Sequence, residues 1–223
     1  MRHLLLILVV SINLSFFGIV AAAKPNVWVY TDMSDPRDQR EGGHPFNDPD
    51  DIVTMAPLLL EANRFNIETI VVSSTNRKYL GDSMDFVNSV LLDAYHHDVS
   101  YLNDAFGGYQ NTINFVRSSA TQVALPVRFD PSTDYSDLTN HETVASLIEY
   151  AEENEVYVLC WGPLTEPAIA VKHCLDTQNW KALEHMTFMG HWTMSFIAQG
   201  TPETPYAVAN CKDDAQACRF IHD

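Results

Sequence analysis

Short apolar runs rich in β-branched residues alternate along the chain with longer stretches whose apolar residues recur every three or four positions. Val27 to Thr31, Ile67 to Val72, Val156 to Cys160 and His185 to Met189 read as strands. Helical periodicity covers Asp50 to Glu61, Asp82 to Tyr95, Thr143 to Glu153, Thr165 to His173 and Asp213 to His222. In the first of these helices Ile52, Val53, Met55, Ala56, Leu59 and Leu60 form the apolar side, and Pro57 predicts a kink or a late start. In the second, Met84, Val87, Leu91 and Ala94 carry the period. Tyr101 to Asp137 is polar and loop-rich, with a short helix expected near Asn111 to Arg117. Strands separated by helices predict an α/β fold, an open and mostly parallel sheet with helices on both faces. No repeat or low-complexity linker divides the chain, so one domain is expected.

The N-terminus stands outside that pattern. Met1-Arg2-His3 is a cationic start, Leu4 to Val20 is mostly apolar, and Ala21-Ala22-Ala23 offers small residues for cleavage. That layout predicts a signal peptide over residues 1–23, a mature domain over 24–223 and a secreted or periplasmic protein. No second stretch is apolar enough to span a bilayer, so no membrane association is expected after cleavage. Four cysteines in 223 residues are too sparse for a disulfide scaffold. Cys160 reads as a buried strand thiol, Cys174 has no obvious partner, and Cys211 and Cys218 are placed to pair unless helical spacing separates them.

Against 29 acidic residues stand 13 Lys and Arg, a net charge of −16, which excludes a nucleic-acid partner because such binding needs a basic face. The acids are uneven: seven fall between Asp32 and Asp51. In an open parallel sheet, ligands bind beyond the carboxyl ends of the strands. There the sequence places Thr31-Asp32-Met33-Ser34-Asp35, with Asn47-Asp48-Pro49-Asp50-Asp51 opening the next helix. Ser73-Ser74-Thr75-Asn76, Trp161-Gly162-Pro163-Leu164-Thr165-Glu166 and Gly190-His191-Trp192-Thr193 follow the other strands. Aspartates from a strand end and a helix start can share one cation, and without a cation their repulsion would raise their pKa values.

These motifs resemble, in order from Val27 to Phe220, the inosine/uridine-type nucleoside hydrolases. Asp32 with Asp50-Asp51 is similar to that family's aspartate-rich N-terminal motif, and Ile70 to Asn76 to its second strand with a trailing Asn. The Gly162-Pro163-Leu164-Thr165 turn, the Met189-Gly190 segment and Ala209-Asn210 resemble its later motifs. The Asn47 to Asp51 form is closer to the nucleoside hydrolase-like domain of secreted, cellulose-associated bacterial proteins. The resemblance implies a Rossmann-like sheet and calcium-dependent hydrolysis of N-glycosidic bonds in a nucleoside or related glycoside. It implies Asp32 as metal ligand and general base, and Asp51 and the Trp161 carbonyl as further metal ligands. It implies Asp50, Asn76 and Asn210 as sugar-binding residues. Homo-oligomerisation is left open.

Simpler readings stand beside these. Asp48 to Asp51 make a good helix start by capping and dipole, Asp32 and Asn76 suit turns, and His191 beside Trp192 reads as structural. His96, His97 and His173 read as solvent-facing helix residues, and Trp28 as core. The sequence also departs from the family pattern. Seventeen residues separate Asp32 from Asp50, which leaves Asp32, Asp35 or Asp48 for the first metal position. Val208 and Glu166 replace common family residues, and the family's final metal-binding Asp lies beyond Asp223, so a truncated family member is expected. The alternative function is a non-catalytic sugar- or nucleoside-binding module. A haloacid dehalogenase-type phosphatase would need a second Asp at position 34, where this chain has Ser.

Overall fold

A computed structural model of the chain describes residues 23–33, 49–73, 84–120, 128–212 and 214–223. Residues 1–22 of the expected signal segment over 1–23, and Asp35, Asp48 and Asn76, lie outside the described residues. Five strands form one parallel sheet: β1 (Asn26–Thr31), β2 (Asn66–Val72), β3 (Phe115–Arg117), β4 (Val156–Cys160) and β5 (Met186–Gly190), in the order β3-β2-β1-β4-β5. The alternation along β1 sorts its side chains into two cores. Val27 and Val29 pack with Ile70, Val72 and α1 (Pro49–Leu60) on one face. Trp28 and Tyr30 pack with Val158, α3 (Glu142–Glu153) and α4 (Thr165–Thr177) on the other. Helices on both faces of a parallel sheet are what the hydrophobic pattern predicts.

Several boundaries differ from the sequence expectation. The helix expected to end at Tyr95 continues, through a π-helical stretch Val87–Leu92, into α2 (Asp93–Ala105). Buried Tyr95 and Val99 carry the period past the polar run His96-His97-Asp98, which occupies the outer face. The expected helix near Asn111 to Arg117 is strand β3 instead. Its neighbours Asn114 and Ser118 bond β2 at Ile70 N–H to Asn114 O (2.8 Å) and Ser118 N–H to Val72 O (2.9 Å). Asn, Thr and Val are weak helix formers, and the open edge of β2 supplies the partner that decides the segment. A short helix, α5 (Trp180–His185), precedes β5 and was not expected. In α1 the buried stripe is Asp51, Met55 and Leu59, while Val53 and Leu60 are exposed and Pro57 sits inside without ending the helix. His173 is half-buried rather than solvent-facing, its Nδ1 donating to the Tyr135 carbonyl at 2.7 Å.

The chain ends in two short helices, α6 (Ala209–Lys212) and α7 (Ala215–His222), where one helix from Asp213 was expected. The break between them lets Cys211 and Cys218 pair, with Cα atoms 5.7 Å apart. Asp214 caps α7 by accepting from Ala217 N–H, and its other oxygen accepts from Thr165 Oγ1 at 2.7 Å and Phe129 N–H at 2.8 Å. Cys160 and Cys174 are free and buried, and burial raises both thiol pKa values, that of Cys174 to about 11. Among the described residues no helix is long and apolar enough to cross a membrane. Replacing Cys211 and Cys218 by Ser together is expected to cost about 2 kcal/mol through the loop they close, read as a lower urea midpoint. Reductant should lower the wild-type midpoint by the same amount and leave the double variant unchanged.

Candidate functional site

The strand order reverses direction at β1. The chain runs outward from β1 to β2 and β3, then returns to place β4 on β1's other side. Such a switch point opens a crevice beyond the carboxyl ends of the two diverging strands. Asp32 follows β1 and Trp161-Gly162 follows β4 at that crevice.

Asp51 reaches the crevice because it lies on the inward stripe of α1, four residues before Met55. Its Oδ2 accepts from Thr31 Oγ1 and from Asp32 N–H (3.1 Å). Thr31 Oγ1 accepts in turn from Met33 N–H at 3.2 Å. Both Asp32 and Asp51 are buried, at 3% and 4% exposure, whereas Asp50 is exposed. Burial pushes the Asp51 carboxyl up to about 6; the bonds from Thr31 and Asp32 pull it down, and the Asp50 charge pushes it further up. From the second strand, Ser73 donates through N–H (2.8 Å) and Oγ (2.9 Å) to the Thr31 carbonyl.

The turn after β4 closes on the same point. Trp161 N–H donates to Tyr30 O at 2.8 Å, and a Cβ on Gly162 would lie 2.9 Å from both Asp32 Cβ and Asp32 N. Only glycine fits there. Asn210, in α6, donates both amide hydrogens, one to Trp161 O and one to His191 O, each at 2.7 Å. It thereby ties the turn after β4 to the turn after β5 and keeps only Oδ1 for a ligand. The His191 ring is exposed, edge-on to Trp192 with centroids 6.3 Å apart.

Asp32, Asp51, the Trp161 carbonyl and Asn210 are thus linked through successive contacts, while Asp50 stands at their exposed margin. Among the described residues no group of three His, Cys, Asp or Glu side chains is arranged to hold a metal ion. The sequence reading missed the Thr31 hydroxyl and the Ser73 clamp. Thr immediately before Asp at a strand's end is the signal that was present.

Asp51 makes stability depend on pH in the metal-free protein. Its folded pKa is raised, so this contribution is fully present below about pH 4 and is lost as pH rises through about 6. With chelator present, the wild-type minus Asp51→Asn difference in unfolding free energy is expected to change by on the order of 2 kcal/mol across that window, as measured by urea titration. Gly162→Ala is expected to cost roughly 1–3 kcal/mol, because the new methyl displaces Asp32 or the turn.

The family model described as "Cellulose-binding Sde182, nucleoside hydrolase-like domain" matches residues 44–206. No curated protein matches the chain. Among solved structures, an inosine-guanosine nucleoside hydrolase is similar with a TM-score of 0.45 and 13% identity, over 88% of this chain and 57% of that one. A plant nucleoside hydrolase, the PpNRh1 enzyme, is similar with a TM-score of 0.44 and 15% identity, over 89% of this chain and 57% of that one. The chain therefore spans 57% of the length of each of these enzymes. The family model covers well over half of the 223 residues, and the chain belongs to the nucleoside hydrolase-like domain family of cellulose-binding Sde182.

Proposed function

We propose that the crevice between β1 and β4 is a calcium-dependent site for hydrolysis of an N-glycosidic bond in a nucleoside or related glycoside, in a secreted or periplasmic protein. The observation that carries this reading is the pair of buried carboxylates, Asp32 and Asp51, joined through a backbone N–H at the topological switch point. Two carboxylates and a backbone carbonyl are hard oxygen donors, the chemistry calcium selects. The raised Asp51 pKa marks a buried carboxylate that a cation would stabilise in its charged form. Asp32, Asp51 and the Trp161 carbonyl would hold the ion, with water and sugar hydroxyls completing its shell. When bound, calcium supplies the positive charge that acidifies an attacking water.

The remaining chemistry falls to the chain. The C–N bond breaks through an oxocarbenium-like state, its electron pair leaving on the nitrogen of the departing base; the water oxygen bonds the anomeric carbon and Asp32 accepts the water's proton on a carboxylate oxygen. Asp50, at the exposed first turn of α1, accepts hydrogen bonds from sugar hydroxyls. Asn76, outside the described residues, is a further sugar-binding candidate by the family resemblance alone, and Asn210 contributes Oδ1 as an acceptor while its amide hydrogens fix the two turns. The pairing of Cys211 with Cys218 suits an exported protein.

A second reading is a sugar- or nucleoside-binding module without catalysis. The family's cellulose-binding description favours it, as does the lack, among the described residues, of a three-side-chain metal cluster.

Calorimetric titration of calcium into chelator-treated protein tests the metal site. Wild type is expected to bind more tightly than millimolar, and Asp51→Ala roughly tenfold or more weakly than wild type. Equal binding by the two removes calcium from the reading. Ribose release from a nucleoside panel, abolished by chelator and by Asp32→Ala, is the outcome expected of the hydrolase. Nucleoside binding without release on the whole panel selects the binding module.

A further inference from the structure

The sheet ends at β5 with an unguarded edge. Among the described residues β5 pairs with β4 alone, so its other side carries no strand. His191 N–H donates to Cys160 O at 2.9 Å, continuing the β4–β5 ladder. Alternate residues of a strand aim their backbone groups to the same side, so those of Phe188 and Gly190 point away from β4. On that side Met186 N–H turns back to Leu183 O, which leaves its carbonyl for the edge. Such an edge is a template for a further strand, and proteins ordinarily blunt one with a charge, a Pro or a bulge. Met186-Thr187-Phe188-Met189-Gly190 contains no charged residue and no Pro, and its register with β4 is unbroken.

Charge and side-chain size select the occupant. Residues 185–202 contain no Asp, Glu, Lys or Arg, the longest such stretch beyond residues 3–23 in a chain of net charge −16. Copies of this chain repel one another, and β5 with the loop after it is where they approach with least repulsion. The stretch is also apolar and open: Met189 is 53% exposed, and Trp192, Met194, Phe196 and Ile197 are exposed beyond it. A basic partner would find no carboxylate there to pair with. Antiparallel pairing of β5 with itself, centred on Phe188, sets the outward-pointing residues opposite one another. Each long side chain then falls opposite a short one, Met186 against Gly190 and Met189 against Thr187, while Phe188 meets its own copy on the two-fold axis.

We propose that β5 is a homodimer interface, where an antiparallel β5–β5 pair joins the sheets of two copies into one. Phe188 N–H donates to the carbonyl of Phe188 of the second copy and its own carbonyl accepts in return. Gly190 N–H donates to the Met186 carbonyl of the second copy, and the two-fold axis repeats that bond. This interface includes neither Asp32 nor Asp51, so it is independent of the calcium reading.

Sedimentation of the full chain over about 1–100 μM tests the proposal, with hydrogen exchange to locate the contact. The expected result is a concentration-dependent dimer in which exchange at the Phe188 and Gly190 amides slows as dimer forms. Met189→Glu puts a carboxylate into the joint between two negative copies and is expected to raise the dissociation constant roughly tenfold or more. Adding Thr187→Lys to that variant is expected to restore the dimer, because position 187 of one copy lies opposite position 189 of the other. Both positions are exposed, so both variants are expected to keep the wild-type circular dichroism. A monomer at every concentration overturns the proposal, as do a dimer indifferent to Met189→Glu and a loss that Thr187→Lys does not reverse. Slow exchange at these amides in a monomer assigns the edge to another segment of the same chain and overturns it too.

Discussion

The carboxylate of Asp51 closes the first strand onto the first helix, and the geometry of the crevice follows from that contact. Oδ2 takes the Thr31 hydroxyl and the Asp32 amide together, so the last hydrogen-bonding groups of β1 are spent on a side chain rather than on water. Ser73 fixes the Thr31 carbonyl from β2, and Trp161 fixes the Tyr30 carbonyl from β4. With three elements bonded to the three consecutive residues Tyr30 to Asp32, Asp32 has little freedom. Gly162 then presses close enough to exclude any β-carbon. A side chain held this rigidly by its neighbours is the preorganisation that binding or catalysis needs.

Two of the helices that flank β1 begin with a buried acid. Asp51 in the first turn of α1 takes the Thr31 hydroxyl and the Asp32 amide, and Glu166 in the first turn of α4 takes Ser119, Ala120 and Thr143. Acids in a helix's first turn are favoured by the dipole, but burial would make either charge costly without donors. Asp51 has two donors on one oxygen and Glu166 has four.

Asn210 occupies a third anchoring position. It lies in a helix of four residues, too short to hold itself, and its neighbour Cys211 is bonded to Cys218 in α7. Asp214 in turn joins α7 to α4 through Thr165. Covalent and polar links therefore replace the packing that a longer helix would supply, and they hold the amide against the carbonyls of Trp161 and His191.

Local pattern in the sequence determined most of the framework. Period-two and period-3.6 runs located β1, β2, β4, β5 and the main helices, because burial on one face leaves its spacing in the chain whatever the partner is. Aspartates after β1 and at the start of α1, and a glycine after β4, marked the strand ends where a parallel sheet places its ligand. Tertiary structure decided the rest, since each remaining question concerned a partner distant in the chain. The free edge of β2 made Asn111 to Arg117 end in a strand rather than a helix. The facing core chose Asp51 over Asp50 as the buried acid, because Asp51 shares a stripe with Met55 and Leu59. The break between α6 and α7 brought Cys211 to Cys218, and the return of β4 beside β1 set Gly162 against Asp32. Spacing along a chain records which face is buried; it does not record what lies opposite, and the site is made of what lies opposite.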